Sequence, residues 1–160
     1  MTYLLNSYNG IWQCSLHIIG RRSHSEHELQ QKLYYKKYSY DDIEKVILRL
    51  KEYGYINDTE LAKNLFNKYL QAGKYSVKQI IYKLKQRGLP DAIIHNIVNS
   101  HDDIDLEEWQ SALKIIKTRF KILNDATTKE KIYRYLATKG FSSTSISKAI
   151  QHLYQSENNF

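Results

Sequence analysis

Basic side chains at helical spacing are the residues of this chain that could do chemistry, and that chemistry would be electrostatic binding. Lys32 and Lys36 are four residues apart and Lys78 and Lys85 are seven apart, so each pair lies near one face of a predicted helix. Such rows can contact phosphates or acidic protein patches. A solvated helical face is the alternative for any single lysine. The candidate binding residues are Arg21, Arg22, Lys32, Lys36, Lys74, Lys78, Lys85 and Arg87.

The charge distribution favours an anionic partner. The 160 residues carry a formal net charge of +7. Between Leu61 and Ser100, seven basic residues stand against one acidic residue, which gives +6 for that stretch alone. A basic balance points first to nucleic acid and second to an anionic membrane. No apolar run approaches the ~20 residues of a membrane helix, and the first residues lack the pattern of a secretory signal. We therefore expect a cytoplasmic protein that does not engage a membrane.

The sequence lacks the motifs of catalytic and metal sites. It contains no glycine-rich phosphate loop, nucleophile elbow or Walker-type lysine, so an enzyme is the least favoured class. His24 and His27 are three residues apart, but no carboxylate and cysteine set completes a site, and we expect them to be surface histidines. Cys14 is the only cysteine, which excludes an intramolecular disulfide. We expect no metal and no cofactor.

Two further modes of nucleic-acid binding are open. Sequence-specific readout through a helix–turn–helix pair is possible over 76–98, but base contacts usually come from Arg, Asn or Gln, and this segment offers mainly Lys78 and Gln79. Aromatic rings could instead stack on bases. At helical spacing such rings are more often core or half-buried residues. The candidates are Tyr34, Tyr35, Tyr82 and Tyr133.

A repeated pattern must position these side chains. Three copies begin at Ser25, Ser76 and Thr128, each with a hydroxyl residue, a short basic helix, a turn and a second amphipathic helix. A single proline and six glycines favour an all-α protein. A period of about fifty residues predicts stacked units. The expected fold is therefore three tandem three-helix repeats in an elongated, curved arrangement, with units at 1–56, 57–100 and 101–160.

Capping pairs predict where the helices begin, because each can satisfy otherwise unpaired backbone amides. Glycines such as Gly88 and Gly140 predict where they end, since the left-handed conformation carries no Cβ penalty there. The first copy has Lys37 at the equivalent position, so we expect its turn to differ. The predicted capping pairs are Ser39 with Asp42, Asn57 with Glu60, Ser76 with Gln79, Asp105 with Glu108, and Thr127 with Glu130.

Taken in order, these motifs resemble the RecX family, bacterial regulators of the recombinase RecA. The resemblance runs from about Cys14 to Leu153. Arg22, Ser25, Glu28-Leu29 and Lys32-Leu33 are similar to the family's opening R-x-x-S-x-x-E-L-x-x-K-L. Residues 54–62, Gly-Tyr-Ile-Asn-Asp-Thr-Glu-Leu-Ala, are similar to its second motif, and Arg87-Gly88-Leu89 to its basic-Gly-apolar turn.

The resemblance implies a regulator that lodges along the groove of the RecA–DNA filament and restrains filament growth, ATP hydrolysis and strand exchange. Its setting would be homologous recombination, DNA repair and the SOS response. The candidate basic residues would then contact the filament or its single- or double-stranded DNA, and we expect a monomer. The rival hypothesis is a sequence-tolerant nucleic-acid-binding module that acts independently of RecA.

Overall fold

The computed structural model describes residues 2–120 and 126–157, and these contain nine α-helices and no strand. The all-α prediction is confirmed. The helices are α1 (Thr2–Ile19), α2 (Glu26–Tyr35), α3 (Tyr40–Glu52), α4 (Asp58–Ala72), α5 (Val77–Gln86), α6 (Asp91–Asn99), α7 (Ile104–Arg119), α8 (Ala126–Thr138) and α9 (Ser143–Glu157).

Polar side chains cap several helices as the sequence predicts. The Ser39 hydroxyl accepts the Asp42 N–H at the start of α3, and the Asn57 side chain accepts the Glu60 N–H at the start of α4. The cap of α5 is a reciprocal capping box. There the Ser76 hydroxyl accepts the Gln79 N–H, and the Gln79 side chain accepts the Ser76 N–H, both at 3.2 Å.

The predicted cap at Asp105 with Glu108 is wrong. The predicted N-cap Thr127 is also wrong, because α8 starts at Ala126. Helix α7 starts at Ile104, so its N-cap is Asp103, two residues before the predicted Asp105, and no side-chain hydrogen bond is made there. Glu108 lies one turn inside the helix and is buried. Its carboxylate accepts hydrogen bonds from other segments, because a buried carboxylate needs several donors to replace its water.

Three helix-ending turns have the same backbone geometry. The N–H groups of Tyr38, Leu89 and Phe141 donate to the carbonyls of the residues five positions earlier, at 3.4, 3.3 and 3.2 Å, as in a Schellman motif. The residues before them, Lys37, Gly88 and Gly140, have φ of 68°, 70° and 81°. The expectation that the Lys37 turn differs is therefore wrong, since an exposed lysine takes the left-handed conformation there.

The chain divides into two compact units. Unit 1 comprises 1–63 and 84–94, and unit 2 comprises 64–83 and 95–160, so α4, α5 and α6 contribute to both. The main core of unit 1 joins Ile11 and Ile18 of α1 with Leu29 and Leu33 of α2 and the apolar face of α3. In unit 2, residues of α7, α8 and α9 form the second core, with Ile116 and Ile132 fully buried. The division into three units at 1–56, 57–100 and 101–160 stays a prediction.

Candidate functional site

In unit 1, the start of α2 contacts the turn between α5 and α6. The Ser25 hydroxyl donates to the carbonyl of Arg87, and the Glu26 N–H donates to Oδ1 of Asp58 at 2.9 Å. Burial raises the pKa of the Asp58 carboxyl, although the Glu26 hydrogen bond opposes that rise. These contacts hold the N-terminal end of α2 against a turn 62 residues away in sequence.

The charge of Arg87 is neutralised within unit 1. Its guanidinium donates to both carboxylate oxygens of Glu28 and to the carbonyl of Ser23. Arg22 binds the same carboxylate at 3.1 and 3.2 Å. Burial alone would raise the pKa of Glu28, but the bonds from Arg87, Arg22 and the Ser25 N–H lower it to about 2. Arg87, a predicted binding residue, thus has a structural partner, and its role in binding a ligand stays a prediction.

In unit 2, the start of α5 repeats this contact with the turn between α8 and α9. The Ser76 hydroxyl donates to the carbonyl of Lys139 at 2.7 Å, and the Val77 N–H donates to Oε1 of Glu108 at 3.0 Å. Ser76 therefore plays the part of Ser25, and Glu108 the part of Asp58. The repeat conserves its contacts as well as its helices.

Glu108 also fixes the start of α9. Its second carboxylate oxygen accepts the hydroxyls of Ser142 and Ser145 at 2.7 and 2.8 Å, and the Ser142 N–H at 3.3 Å. With the Val77 amide, this makes four donors to one carboxylate that is only 4% exposed. These four donors replace the water that a buried carboxylate loses.

The two contacts differ in the partner of the basic residue at the docked turn. In unit 1 the third residue of the capped helix is Glu28, which pairs with Arg87. In unit 2 the equivalent residues are Gln79, which is neutral, and Lys139. The Lys139 ammonium lies 5.2 Å from the ring centroid of Tyr135 instead of beside a carboxylate. Among the described residues of unit 2, the positive charge of Lys139 therefore has no carboxylate partner, whereas that of Arg87 in unit 1 is neutralised.

Lys139 belongs to a cationic groove, which we call the unit 2 cleft. It encloses about 300 Å³, and none of the described residues that line it is acidic. The Arg119 guanidinium stacks on Tyr135 at 4.5 Å from the ring centroid, and the Lys114 ammonium donates to the carbonyl of Ala72. The cleft is lined by Gly73, Lys74, Lys114, Ile115, Thr118, Arg119, Tyr135 and Lys139.

Four of the predicted binding residues meet in a second groove, the unit 1 cleft, which encloses about 540 Å³. His24 lines it but is 5% exposed and not a surface residue as expected, because its Nδ1 lies 2.8 Å from the Arg22 carbonyl within the fold. Burial lowers the pKa of His24, which keeps the ring neutral at pH 7. The cleft is lined by His17, Ile18, Arg21, Arg22, His24, Lys32, Tyr35 and Lys36.

The remaining predicted binding residues lie apart from these clefts. Lys85 pairs with Asp91 at 2.8 Å on the surface of unit 1. Lys78 is exposed in unit 2, with its stem against Gly140. Of the eight candidates, the structure thus brings four into the unit 1 cleft and places only Lys74 in the unit 2 cleft.

Three cations of the unit 2 cleft were not among the sequence candidates. Lys114 and Arg119 lie on α7, outside the two stretches, 21–36 and 74–87, from which the sequence candidates came. Lys139 did carry a signal, because Lys139-Gly140-Phe141 matches Arg87-Gly88-Leu89 in the repeat. Because Arg87 is a candidate in one repeat copy, Lys139 at the same position of the next copy is a candidate as well.

The four tyrosines considered for stacking are exposed. Their exposed fractions are 66% for Tyr34, 76% for Tyr35, 62% for Tyr82 and 40% for Tyr133. The expectation of core or half-buried rings is wrong for this set, because the apolar stripes of α2, α5 and α8 are supplied by leucine and isoleucine. Tyr35 also lines the unit 1 cleft.

Two family models match this chain. One is described as the first three-helix domain of RecX and matches residues 12–50; the other, the third three-helix domain of RecX, matches residues 106–150. A protein of Chlorobium phaeobacteroides (strain BS1) named Regulatory protein RecX is 30% identical over 145 residues, which cover 89% of this chain and 92% of that protein. The chain belongs to the RecX family. The resemblance expected from the motifs is confirmed.

Other RecX proteins are similar over the same length. Regulatory protein RecX of Pelodictyon phaeoclathratiforme (strain DSM 5477 / BU-1) is 27% identical, with 92% of this chain and 91% of that protein covered. The crystal structure of RecX from Lactobacillus salivarius superposes with a TM-score of 0.84 at 21% identity, over 94% of this chain and 99% of that chain. The three-helix repeat fold is thereby confirmed, and the chain is one of a family of regulatory proteins.

Neither a metal cluster nor a membrane span occurs in the described part of the chain. In residues 2–120 and 126–157, no three His, Cys, Asp or Glu side chains converge as a metal site. Within that same part of the chain, no helix is both long and apolar enough to cross a membrane.

Proposed function

We propose that this chain binds the RecA–DNA filament and limits recombinase activity, including ATP hydrolysis and strand exchange. The observation that carries the proposal is membership of the RecX family over nearly the whole chain. The basic clefts of both units add physical support, because a filament of protein and DNA presents a dense array of phosphates. The chain itself would act by binding, and any change in ATP hydrolysis would arise in the recombinase.

Within this function, we assign filament or DNA contacts to the cations that have no carboxylate partner among the described residues. In the unit 1 cleft these are Arg21, Lys32 and Lys36. Arg87 is a poor probe of binding, because reversing its charge would place two carboxylates together at Glu28. Lys78 remains a suitable probe, since it is exposed and lies outside the ion pairs of the described residues.

A DNA-dependent RecA ATPase assay tests the proposal. Added protein should inhibit ATP hydrolysis in a saturable way, and Lys36→Gln should weaken that inhibition, because it removes one cation from the unit 1 cleft. Lys45→Gln, which removes an exposed lysine of α3 outside the cleft, is the matched control and should inhibit like the unaltered protein. Absence of inhibition at any stoichiometry up to saturation would refute the proposal.

The rival is a nucleic-acid-binding module that acts without RecA, and the cationic clefts favour it equally. It predicts salt-sensitive DNA affinity in the absence of the recombinase. It also predicts that inhibition disappears when excess DNA is added, because the protein would act only by competing for DNA. Inhibition that persists at saturating DNA and follows the RecA concentration supports filament binding instead.

A further inference from the structure

We propose that the unit 2 cleft is a phosphate-binding site that takes the backbone phosphates of a single nucleic-acid strand. The inference deepens the proposed function by assigning this cleft to the nucleic acid, and it can be tested without the recombinase. It stands on three observations in unit 2: the balance of charge in the cleft, the way its side chains are held, and the comparison with the equivalent contact in unit 1.

The positive charge of the cleft exceeds the negative charge that the surrounding fold supplies. Lys74, Lys114, Arg119 and Lys139 line it, and none of them has a carboxylate partner in the described residues. Helix C-termini attract cations, and α4, α7 and α8 all end beside the cleft. Each C-terminus supplies roughly −0.5 of a charge, so three of them offset only about −1.5 of the +4. About +2.5 is left for a ligand.

Three of the four cations are held in place before any ligand arrives. Arg119 and Lys139 lie over the ring of Tyr135, which itself packs edge-on against Phe120 at 5.8 Å. Lys114 is fixed by its hydrogen bond to the Ala72 carbonyl. Cations that are already positioned lose less side-chain entropy when they bind an anion. This distinguishes the cleft from a solvated row of mobile lysines.

The repeat provides an internal comparison. In unit 1 the basic residue of the docked turn, Arg87, is met by the carboxylate of Glu28. In unit 2 the same turn presents Lys139, and the capped helix presents neutral Gln79 at the position of Glu28. Unit 1 thus supplies its own anion, whereas unit 2 has the cation without one. A phosphate in the cleft would supply Lys139 with an anion, as Glu28 supplies one to Arg87.

A nucleic-acid strand fits this site better than an acidic protein surface. Four cations share a groove of about 300 Å³. The other residues that line it are Gly73, Ile115, Thr118 and Tyr135. The cleft therefore offers high charge density, with Ile115 and Tyr135 as the apolar side chains of its lining. A strand carries about one negative charge every 3.4 Å, which places more than one phosphate within such a groove.

The test is the salt dependence of binding to a mixed-sequence single-stranded DNA oligonucleotide. Each neutralised phosphate contributes about −0.7 to the slope of log K against log salt, so the remaining charge of about +2.5 predicts about −1.8 from this cleft. Lys114→Gln combined with Lys139→Gln removes two of these charges, which should lower that contribution to about −0.4 and weaken binding about 25-fold at 0.1 M salt. The matched control is Lys131→Gln with Lys148→Gln, two exposed lysines of unit 2 outside the cleft, which should change binding far less.

A second variant separates loss of binding from loss of folding. Gln79→Glu restores in unit 2 the carboxylate found in unit 1 and keeps the capping box with Ser76. It should preserve helicity and thermal stability yet weaken DNA binding about 5-fold at 0.1 M salt, because one cation is neutralised from within. Unchanged DNA affinity in both the double variant and Gln79→Glu would overturn the proposal.

A competitor identifies the source of the phosphate. Free ATP at equal phosphate concentration should displace the oligonucleotide poorly, because it cannot span the cleft and its neighbouring surface. Displacement by ATP as strong as by unlabelled DNA would overturn the assignment to a strand. The DNA-binding test of the cleft and the RecA ATPase test of the proposed function can fail independently. A protein that fails to inhibit RecA but loses DNA affinity in the cleft variants refutes the function alone, and the reverse pattern refutes the cleft alone.

Discussion

Replacement of Glu28 by glutamine tests whether the Arg22–Glu28–Arg87 network stabilises unit 1 through charge. Glutamine has the size of glutamate and can still accept the Ser25 N–H, as Gln79 accepts the Ser76 N–H in unit 2. The substitution therefore removes the negative charge while it keeps the capping box. We expect Glu28→Gln to lower the free energy of unfolding at pH 7.

The size of the effect follows from the pKa of Glu28, which is lowered from 4.5 to about 2. At about 1.4 kcal/mol per pKa unit, this fall corresponds to roughly 3 kcal/mol in favour of the ionised carboxylate. The side chain of Glu28 is 16% exposed and that of Arg87 21%, but that of Arg22 is 48% exposed and partly screened by water. Allowing for that screening, we expect a loss of about 2 kcal/mol.

The pH dependence gives the decisive measurement. Because the pKa is lower in the folded state, the stabilisation is fully present above the unfolded pKa near 4.5 and is lost as the pH falls towards 2. Urea unfolding of the unaltered protein and of Glu28→Gln, followed by circular dichroism, should differ by about 2 kcal/mol at pH 7 and converge near pH 2.

The control is Glu130→Gln, which breaks the exposed ion pair with Arg134 on α8. An exposed pair of this spacing contributes about 0.3–0.5 kcal/mol, so this variant should lie close to the unaltered protein at both pH values. If Glu28→Gln differed from the unaltered protein by the same amount at pH 7 and near pH 2, shape and hydrogen bonding would explain the effect, and the reasoning from charge would be wrong.

Two further predictions concern stability. Gly88→Ala should lower the free energy of unfolding by about 1–3 kcal/mol more than Gly54→Ala. Both glycines have positive φ, but of the two only Gly88 is so placed that the new Cβ would meet another side chain, that of His27, at 2.5–2.7 Å. Equal losses in urea unfolding would show that backbone strain alone matters. Glu108→Ala should cost at least 3 kcal/mol, since it leaves four donors near a buried position without their acceptor. A thermal melt within a few degrees of the unaltered protein would contradict that role.

The sequence predicted the local structure well because helix starts and ends depend on nearby residues. The caps at Ser39, Asn57 and Ser76 need only a side chain and an amide three residues on. The failure at Glu108 has the opposite cause. Its four donors come from segments more than 30 residues away, so the same local spacing that marks a cap elsewhere marks a buried acceptor here.

The candidate site was predicted less completely, since charge in a sequence says nothing of its partners in space. Arg87 and Lys139 are equivalent in the repeat, and both are basic. Only the fold shows that Arg87 is bound to Glu28, 59 residues away, while Lys139 lies over Tyr135 in an open cleft. The distribution of basic residues along the sequence therefore selected Arg87 as a binding candidate and left out Lys139.

The departure of Lys37 from the repeat has a physical explanation in the two docked turns. A Cβ at Gly88 would meet His27, and a Cβ at Gly140 would meet the side chain of Lys78 at 3.0–3.2 Å, so each glycine makes room for the helix that docks on its turn. Lys37 has the same left-handed backbone but is exposed. Glycine in this repeat is therefore required by the docked helix more than by the turn itself. The first turn can carry a side chain because no preceding repeat copy in the described chain docks on it.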